Sequence, residues 1–219
     1  MKKKRLLIYG MGTIAEIAGY YFQTDSRYEI AAFVDQAKVV EKSSKFMGKP
    51  LISLEVAMEQ YGPSDVEFFV AIGYQKTNSV RQKRYQQIKE YGYNCANYIS
   101  SRAIVFSDKI GENCLILENN VLQPFTEIGH NVTMWSGNHL GHHSVVEDNV
   151  FISSHVVISG RCTIRKNSFI GVNSCLHDGV DVGEKSVIGA GSVVSKSCEK
   201  RSVFMSPKSK LRIIDKDII

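Results

Sequence analysis

The first 97 residues alternate continuous apolar runs with segments of helical spacing. The apolar runs predict strands at RLLIYG, EIAAFVD and DVEFFVAIG, and a short last strand at NCANYI. Helical spacing predicts helices at GMGTIAEIAGYYFQ, at LISLEVAMEQYG and, with a polar and basic surface, at NSVRQKRYQQIKEYG. Strands that alternate with helices indicate a parallel sheet with helical crossovers.

From residue 104 onward the hydrophobic period changes to six. One phase of this period holds only Ile, Leu, Val or Met, without insertion: Ile104, Ile110, Ile116, Leu122, Ile128, Met134, Leu140, Val146, Ile152, Ile158, Ile164, Ile170, Leu176, Val182, Ile188 and Val194. A small side chain usually follows four residues later. Neither a helix nor a plain strand has this period, whereas a solenoid of short strands does. We therefore expect the aliphatic residues to point inward and the small ones to fill tight corners.

Length and composition exclude several classes of protein. The 219 residues suffice for one large domain or two small ones. No apolar run approaches the ~20 residues of a membrane helix, and the basic start leads into a short strand rather than a signal peptide. Five cysteines without CxxC spacing favour a reduced, cytoplasmic protein over a disulfide framework.

The net charge of +5 is concentrated at the two ends of the chain. The basic residues there are Lys2, Lys3, Lys4, Arg5, Lys196, Lys200, Arg201, Lys208, Lys210, Arg212 and Lys216. They are either a solvated tail or a contact for a polyanion such as nucleotide phosphates. No basic stripe is interleaved with aromatic residues and no nucleic-acid motif occurs, so we expect no nucleic-acid partner.

A glycine-rich turn follows the first predicted strand. YGMGTIA contains G-x-G-x-x-A at Gly10, Gly12 and Ala15, and Asp35 ends the next strand. This spacing is typical of dinucleotide sites, with phosphate at a helix N-terminus and a carboxylate on a ribose. An NAD-binding protein is one hypothesis, although fewer than a hundred residues precede the repeats. A tight turn without a ligand is the other.

Two adjacent histidines, His142 and His143, are third and fourth in the hexad that starts at Leu140. Both are expected to project outward near a corner. If three hexads make one coil of 18 residues, Gly160 lies beneath His142, and a glycine there would leave a gap for a slender group such as a pantetheine arm. An imidazole can take a proton at neutral pH, so His142 is the predicted general base.

The hexads IGENCL, IGVNSC and IGAGSV resemble those of the hexapeptide-repeat acyltransferases. With an α/β segment before them, nearly the whole chain resembles the NeuD and PglD sugar acetyltransferases. The resemblance implies a Rossmann-like half-fold at 1–100 that binds a nucleotide-linked sugar. It implies a left-handed parallel β-helix of a little over five triangular coils at 101–219, ending in a C-terminal tail. It also implies a homotrimer with active sites between flat faces of neighbouring subunits.

The same resemblance assigns site residues. His142 takes the position of the base, and His143 stands where an acidic residue is expected, so Glu147, Asp148 or a backbone carbonyl remain candidates to orient the base. The expected coenzyme A contacts are Gly160, Val172, Gly189 and Ala190. The expected substrate contacts are Gly10, Gly12, Thr13, Asp35 and Gly73. Ile14 and Phe151 stand where the family has histidines, and Lys185, Lys196 and Arg201 are charge-based candidates for the coenzyme A phosphates.

The predicted activity is therefore acetyl-CoA-dependent N-acetylation of a UDP- or dTDP-linked 4-amino-4,6-dideoxyhexose for surface glycan synthesis, without a metal. O-acetylation of a sialic-acid-like sugar is the alternative within the class. The alternatives outside the acetyltransferase class are an NAD-binding protein and a non-catalytic β-helix module. A zinc site of the gamma carbonic anhydrase type is disfavoured, because that family has a histidine pair five residues apart and this sequence has none.

Overall fold

The computed structural model describes residues 4–107 and 109–207. Its N-terminal part is a sheet of order β3-β4-β2-β1-β5. The elements are β1 (Lys4–Tyr9), α1 (Thr13–Thr24), β2 (Tyr28–Asp35), α2 (Ala37–Val40), β3 (Lys45–Phe46), β4 (Lys49–Ser53), α3 (Leu54–Gln60), β5 (Val66–Val70) and α4 (Ser79–Glu90). Strands β1, β2 and β5 pair in parallel, as predicted. Strand β4, which was not predicted, pairs in parallel with β2, and β3 pairs antiparallel with β4.

One predicted element in this half was wrong, and the pairing of another differs. The segment LISLEVAMEQYG is not one helix: its first three residues belong to β4, and α3 begins at Leu54. The cause is Ser53, whose hydroxyl accepts a hydrogen bond from Val56 N at 3.3 Å and caps the helix. The predicted last strand, β6 (Tyr98–Ile99), pairs with a strand of the solenoid. Its strand pairing with the N-terminal sheet, among the described residues, is the single bridge from Cys95 to Phe68.

The second half is a solenoid with three parallel sheets. The docked face contains β6, β9 (Leu115–Ile116), β12 (Thr133–Met134), β15 (Phe151–Ile152), β18 (Phe169–Ile170), β21 (Val187–Ile188) and β23 (Val203–Phe204). The open face contains β7 (Ile104–Val105), β10 (Val121–Leu122), β13 (His139–Leu140), β16 (Val157–Ile158), β19 (Cys175–Leu176) and β22 (Val193–Val194). The polar face contains β8 (Lys109–Ile110), β11 (Glu127–Ile128), β14 (Val145–Val146), β17 (Thr163–Ile164) and β20 (Asp181–Val182).

The inward positions follow the predicted hexads with one exception. The aliphatic residues from Ile110 to Val194 all pack in or against one buried core. Ile104 does not, because it pairs with Val121 while Val105 pairs with the inward Leu122. The first coil is therefore one residue short of the later repeat, and Ile104 is 53% exposed.

Three corners join the faces. The histidine corner (123–126, 141–144, 159–162, 177–180) lies between the open and polar faces. The asparagine corner (111–114, 129–132, 147–150, 165–168, 183–186) lies between the polar and docked faces. The serine corner (100–103, 117–120, 135–138, 153–156, 171–174, 189–192) lies between the docked and open faces.

Most corner turns place one residue in the left-handed region. At the asparagine corner these residues are Asn113, Asn131, Asn149 and Asn167, with Lys185 in the last turn, and their φ is 58–63°. Asparagine tolerates this conformation better than most residues. Asn113 Nδ2 donates to Asn131 Oδ1 at 2.8 Å, and Asn131 Nδ2 donates to Asn149 Oδ1 at 2.7 Å. Stacked turns thus share a buried amide ladder.

The N-terminal half packs on the docked face. Leu115, Leu117 and Trp135 join the core that α1 forms with its sheet. Arg81 reaches the asparagine corner, and Tyr21 Oη donates to Glu118 at the serine corner at 2.7 Å. Across the described residues, every hydrogen bond, ion pair and ring contact between the two halves goes to the docked face or to these two corners. The histidine corner receives none.

Candidate active site

The first cluster of predicted site residues lies at the histidine corner. His142 is half-buried and follows β13. Its N–H donates to Gln123 Oε1 at 2.8 Å, and its carbonyl accepts from Arg161 N at 2.8 Å. The backbone of His142 is thus fixed to the coils before and after it.

The imidazole of His142 lies directly over Gly160. A Cβ built on Gly160 would stand 2.6 Å from His142 Cε1 and 2.7 Å from Nε2. The stacking follows the predicted 18-residue coil, but the expected gap is absent. The ring itself fills the space that the sequence left for a pantetheine arm. Gly160 is buried, and its N–H donates to Asp178 Oδ1 at 2.8 Å.

His143 is the group that meets the second ring nitrogen of the predicted base. It adopts φ of 60°, is exposed, and packs its ring 4.8 Å from that of Phe125. Its Nδ1 lies 3.1 Å from His142 Nδ1, with the two rings nearly perpendicular at 85°. Neutral His143 can accept a hydrogen bond from His142 Nδ1–H, which leaves the Nε2 lone pair of His142 free for a proton.

Neither acidic candidate orients His142. Glu147 accepts from Arg165 Nη1 at 3.1 Å and from Lys166 N at 3.0 Å. Asp148 Oδ1 accepts from His130 N at 2.7 Å. Both carboxylates are engaged at the asparagine corner, and neither is among the hydrogen-bond partners of His142.

A second cluster contains Val172, Gly189 and Ala190, at the serine corner. Val172 is exposed, and its carbonyl accepts from Gly191 N at 2.8 Å. A Cβ on Gly189 would lie 2.8 Å from Phe204 O, so the last strand passes against this glycine. The structure therefore separates these three residues from Gly160, the fourth expected coenzyme A contact.

One charge-based candidate, Lys185, lies at the asparagine corner and not in that cluster. Lys185 forms an ion pair with the neighbouring Glu184 at 3.0 Å. The tail residues Lys208, Lys210, Arg212 and Lys216 lie outside the described residues, as do Lys2 and Lys3.

The third cluster is the glycine turn of the N-terminal half. Gly10 has φ of +123°, and a Cβ there would lie 2.7 Å from Ala71 O, so glycine is required. Helix α1 begins after Gly12 without a side-chain cap, and Gly12 and Thr13 are exposed. Free N–H groups and the positive end of the helix dipole make this turn suitable for a phosphate.

The remaining predicted substrate contacts flank this turn. Asp35 ends β2, and its Oδ1 accepts from Gln36 N at 2.7 Å. Gly73 follows β5, and a Cβ on it would lie 3.7 Å from Ile14 Cγ1. Since β1 lies between β2 and β5, the carboxyl edge of the sheet carries Asp35 on one side of the turn and Gly73 on the other.

Sequence reasoning missed the buried arginine that joins the halves. Arg81 Nη2 donates to the carbonyls of Asn131, Asn149 and Val150 at 3.1–3.2 Å. Burial lowers the pKa of Arg81 to about 10. The polar, basic sequence of helix α4 predicts exposure to solvent. The signal for a contact between the halves was the position of this helix just before the repeats.

Phe151 does not lie beside His142. It is buried on the docked face, where its ring packs 5.0 Å from Tyr74 and stacks 5.6 Å from Phe169. The side chain that replaces the family's second histidine therefore belongs to the contact between the two halves.

Over residues 4–107 and 109–207 no three histidine, cysteine or acidic side chains are grouped to hold a metal ion. Within the same residues, no helix has the length and apolarity needed to cross a membrane.

Comparisons with known proteins match both halves. Residues 5–88 match the family described as PglD N-terminal domain, and residues 162–196 match the hexapeptide repeat of succinyl-transferase. The curated acyl-[acyl-carrier-protein]–UDP-N-acetylglucosamine O-acyltransferase of Sinorhizobium fredii is 29% identical over 93 residues, which are 39% of this chain. The matched region spans about a third of that relative, 34% of its length.

Solved structures share the fold across both halves. Perosamine N-acetyltransferase from Caulobacter crescentus, a mutant solved with CoA and GDP-perosamine, has a TM-score of 0.79 at 21% identity, covering 90% of this chain and 91% of that chain. The acetyltransferase domain of PglB from Neisseria gonorrhoeae has 0.79 at 22%, covering 89% and 92%. WeeI from Acinetobacter baumannii has 0.75 at 19%, covering 91% and 95%.

These matches confirm the predicted fold class, a small Rossmann-like sheet followed by a left-handed parallel β-helix. They also confirm the resemblance that the hexads and the preceding α/β segment indicated. The chain is thus similar to the PglD N-terminal domain over residues 5–88 and to the hexapeptide repeat over residues 162–196, and it shares the fold of the sugar N-acetyltransferase structures.

Proposed function

We propose that the protein transfers the acetyl group of acetyl-CoA to the amine of a nucleotide-linked 4-amino-sugar, without a metal. The observation that carries the proposal is His142, held over Gly160 with its Nδ1 3.1 Å from that of His143. The phosphate-competent turn at Gly10, Gly12 and Thr13 supplies the nucleotide site, together with Asp35 and Gly73. Relatives of the same fold were solved with CoA and a nucleotide amino-sugar.

The chemistry follows from the two rings. His142 Nε2 takes the proton that the amine loses as it attacks the thioester carbonyl. The hydrogen bond to His143 supports the imidazolium that forms. That attack forms the C–N bond and a tetrahedral intermediate. Its collapse re-forms the C=O bond, breaks the C–S bond and releases coenzyme A, whose sulfur takes up the proton. Transfer is direct, so no covalent acetyl-enzyme is needed.

We propose that the active unit is a homotrimer and that each site contains residues of two subunits. Within one subunit His142 lies on the one corner that the N-terminal half does not contact. The nucleotide cluster lies beside the docked face, and Val172, Gly189 and Ala190 lie at the serine corner. A partner subunit's histidine corner must approach those two clusters to complete a site.

The open face supplies a reason for association. It lies between the histidine and serine corners and exposes a column of apolar residues. Ile104, Val157 and Val193 are 53%, 47% and 65% exposed. Burying this column against neighbouring subunits would stabilise a closed ring. The five free cysteines fit the cytoplasmic location that we propose with this activity.

Alternative substrates and functions have distinct signatures. The same base would serve a hydroxyl, so O-acetylation of a sialic-acid-like sugar is tested by adding that sugar to the acceptors assayed.

The tests are thiol release from acetyl-CoA with UDP-, dTDP- and GDP-linked 4-amino-sugars, and thermal shift with acetyl-CoA or NADH. Acetyl-CoA at ~100 times Kd should add ~2.7 kcal/mol of apparent stability. A shift with NADH alone would contradict the proposal, and no shift with either would favour a non-catalytic module.

A further inference from the structure

Tyr74 is an exposed aromatic side chain beside the nucleotide cluster. It follows Gly73 in the loop between β5 and α4 and is 56% exposed. Its ring centroid nevertheless lies 5.0 Å from that of Phe151 and 4.9 Å from that of Phe169. Phe151 is fully covered, whereas Phe169 is only half-buried. Tyr74 and Phe169 therefore present an aromatic surface, which we call the aromatic platform.

The loop holds Tyr74 in place at a conformational cost. Lys76, Thr77 and Asn78 have φ of 49°, 50° and 64°, three consecutive residues in the left-handed region. This conformation is unfavourable for a β-branched residue such as Thr77, and it persists only where the surroundings enforce it. Such strain concentrates at functional sites.

Asn78 supplies the enforcing contacts. It is fully buried, and its Nδ2 donates to Ser168 O at 3.1 Å. Its backbone N–H donates to Tyr74 O at 3.2 Å. One turn further on, Arg81 binds the same corner of the β-helix. Hydrogen bonds to the β-helix thus fix the loop that carries Tyr74, while one side of the aromatic platform stays exposed.

The order of the strands indicates which part of a bound nucleotide sugar would lie next to the aromatic platform. The phosphate-competent turn follows β1, the central strand of the three. Asp35 follows β2 on one side, and Gly73 with Tyr74 follows β5 on the other. A nucleotide whose phosphates bind the turn and whose ribose meets Asp35 would extend its sugar toward Tyr74.

We propose that the aromatic platform carries the pyranose ring of the acceptor, and so contributes to selecting a deoxy-amino-sugar. This proposal rests on the proposed function. Axial C–H groups and a C6 methyl form an apolar face that packs on an aromatic ring. In the described part of the chain the Tyr74 hydroxyl makes no hydrogen bond, so it is free to meet a sugar hydroxyl.

The experiment compares binding of a nucleoside diphosphate with binding of its amino-sugar. Calorimetry would use UDP and UDP-4-amino-4,6-dideoxyhexose, and the dTDP pair, with wild type, Tyr74→Ala, Tyr74→Phe and Tyr20→Ala. Tyr20 is similarly exposed, at 59%, and serves as the control. Tyr74→Ala should weaken the amino-sugar nucleotide by ~10-fold and leave the diphosphate unchanged. Tyr74→Phe should keep most of the affinity, and the KM for acetyl-CoA should not change in any variant.

Three results would overturn the platform alone: equal weakening of diphosphate and amino-sugar nucleotide, unchanged binding in Tyr74→Ala, or loss of affinity that tracks subunit dissociation in sedimentation. A wild-type protein that binds acetyl-CoA but none of these amino-sugar nucleotides would instead overturn the proposed function. The two failures are therefore distinguishable.

Discussion

His130 and His142 occupy the same position of their hexads, each two residues after an inward aliphatic residue, but they lie on different corners. His130 lies at the asparagine corner, where its Nδ1 accepts from Glu112 N at 2.9 Å and its ring stacks 6.3 Å from that of Tyr85 on α4. His142 lies at the histidine corner, where its Nδ1 meets only the ring of His143.

The difference shows that the repeat sets the direction of a side chain but not its role. At the asparagine corner Tyr85, on a helix of the N-terminal half, stacks on the exposed ring of His130, and the backbone N–H of Glu112, one coil earlier in the β-helix, occupies its acceptor nitrogen. At the histidine corner no such helix packs, so the acceptor nitrogen is left for chemistry. The contacts at each corner, above all the backbone N–H offered by the preceding coil, therefore decide which of two histidines in equivalent positions keeps a free acceptor nitrogen.

The largest expected effect separates the two histidines. His142→Ala should lower kcat by ~10²–10⁴ with little change in the KM for acetyl-CoA, because the imidazole acts in the transition state. His130→Ala should leave kcat close to the wild-type value. Steady-state kinetics and melting curves of both variants check this. The opposite ranking would reverse the assignment.

The His143→Ala variant tests whether His143 orients the base. His143→Ala should cost less than His142→Ala, because His143 orients the base and takes no proton from the substrate. The double variant should be no slower than His142→Ala alone. A strictly additive loss would show that the two rings act separately.

The next effect tests the docking at the asparagine corner. Arg81→Met should lower the free energy of unfolding by about 3 kcal/mol, because it leaves buried carbonyls without a donor. Lys83→Met changes an exposed residue of the same helix and should be nearly neutral. Denaturant titration of both variants measures the difference. Equal stabilities would mean that Arg81 does not hold the halves together.

A smaller effect tests the packing of the base itself. Gly160→Ala would place a Cβ 2.6 Å from the His142 ring, so the ring must shift and kcat should fall by about tenfold. Stability should fall as well. Adding His142→Ala should recover that stability, since the clash is removed. Normal kcat in Gly160→Ala would show that the ring position over the glycine is unimportant.

The smallest effect is a pH dependence at the serine corner. Asp25 accepts from Ser101 N at 2.9 Å and from Tyr98 Oη at 2.8 Å, and these bonds hold the pKa of Asp25 below its ordinary value. A lowered folded-state pKa means that the unfolded state binds the proton more tightly. The contribution is therefore complete above about pH 4 and lost as pH falls below it. Asp25→Asn should melt lower at neutral pH and show a flatter acid limb; an unchanged acid limb would contradict this.

The sequence predicted most of the β-helix because one period repeats through it. It failed at Ile104, since a period does not reveal that the first coil is one residue short. It placed Gly160 beneath His142 correctly because coil length fixes stacking. It could not foresee that the ring would rotate over that glycine, because side-chain rotation depends on local contacts. The burial of Arg81 was not predicted, because hydrophobic patterning does not detect a charged side chain buried against carbonyls.

The central claim is that each active site combines the nucleotide cluster of one subunit with His142 of the partner subunit. Mixed oligomers of two inactive variants, His142→Ala and Thr13→Glu, test it most directly. Thr13 is exposed at the start of α1, so the glutamate should repel phosphate without disturbing the fold. If sites are shared, random mixing in equal amounts should restore about a quarter of wild-type activity, since each site needs one intact partner of each kind. Mixed oligomers no more active than either parent would contradict the account.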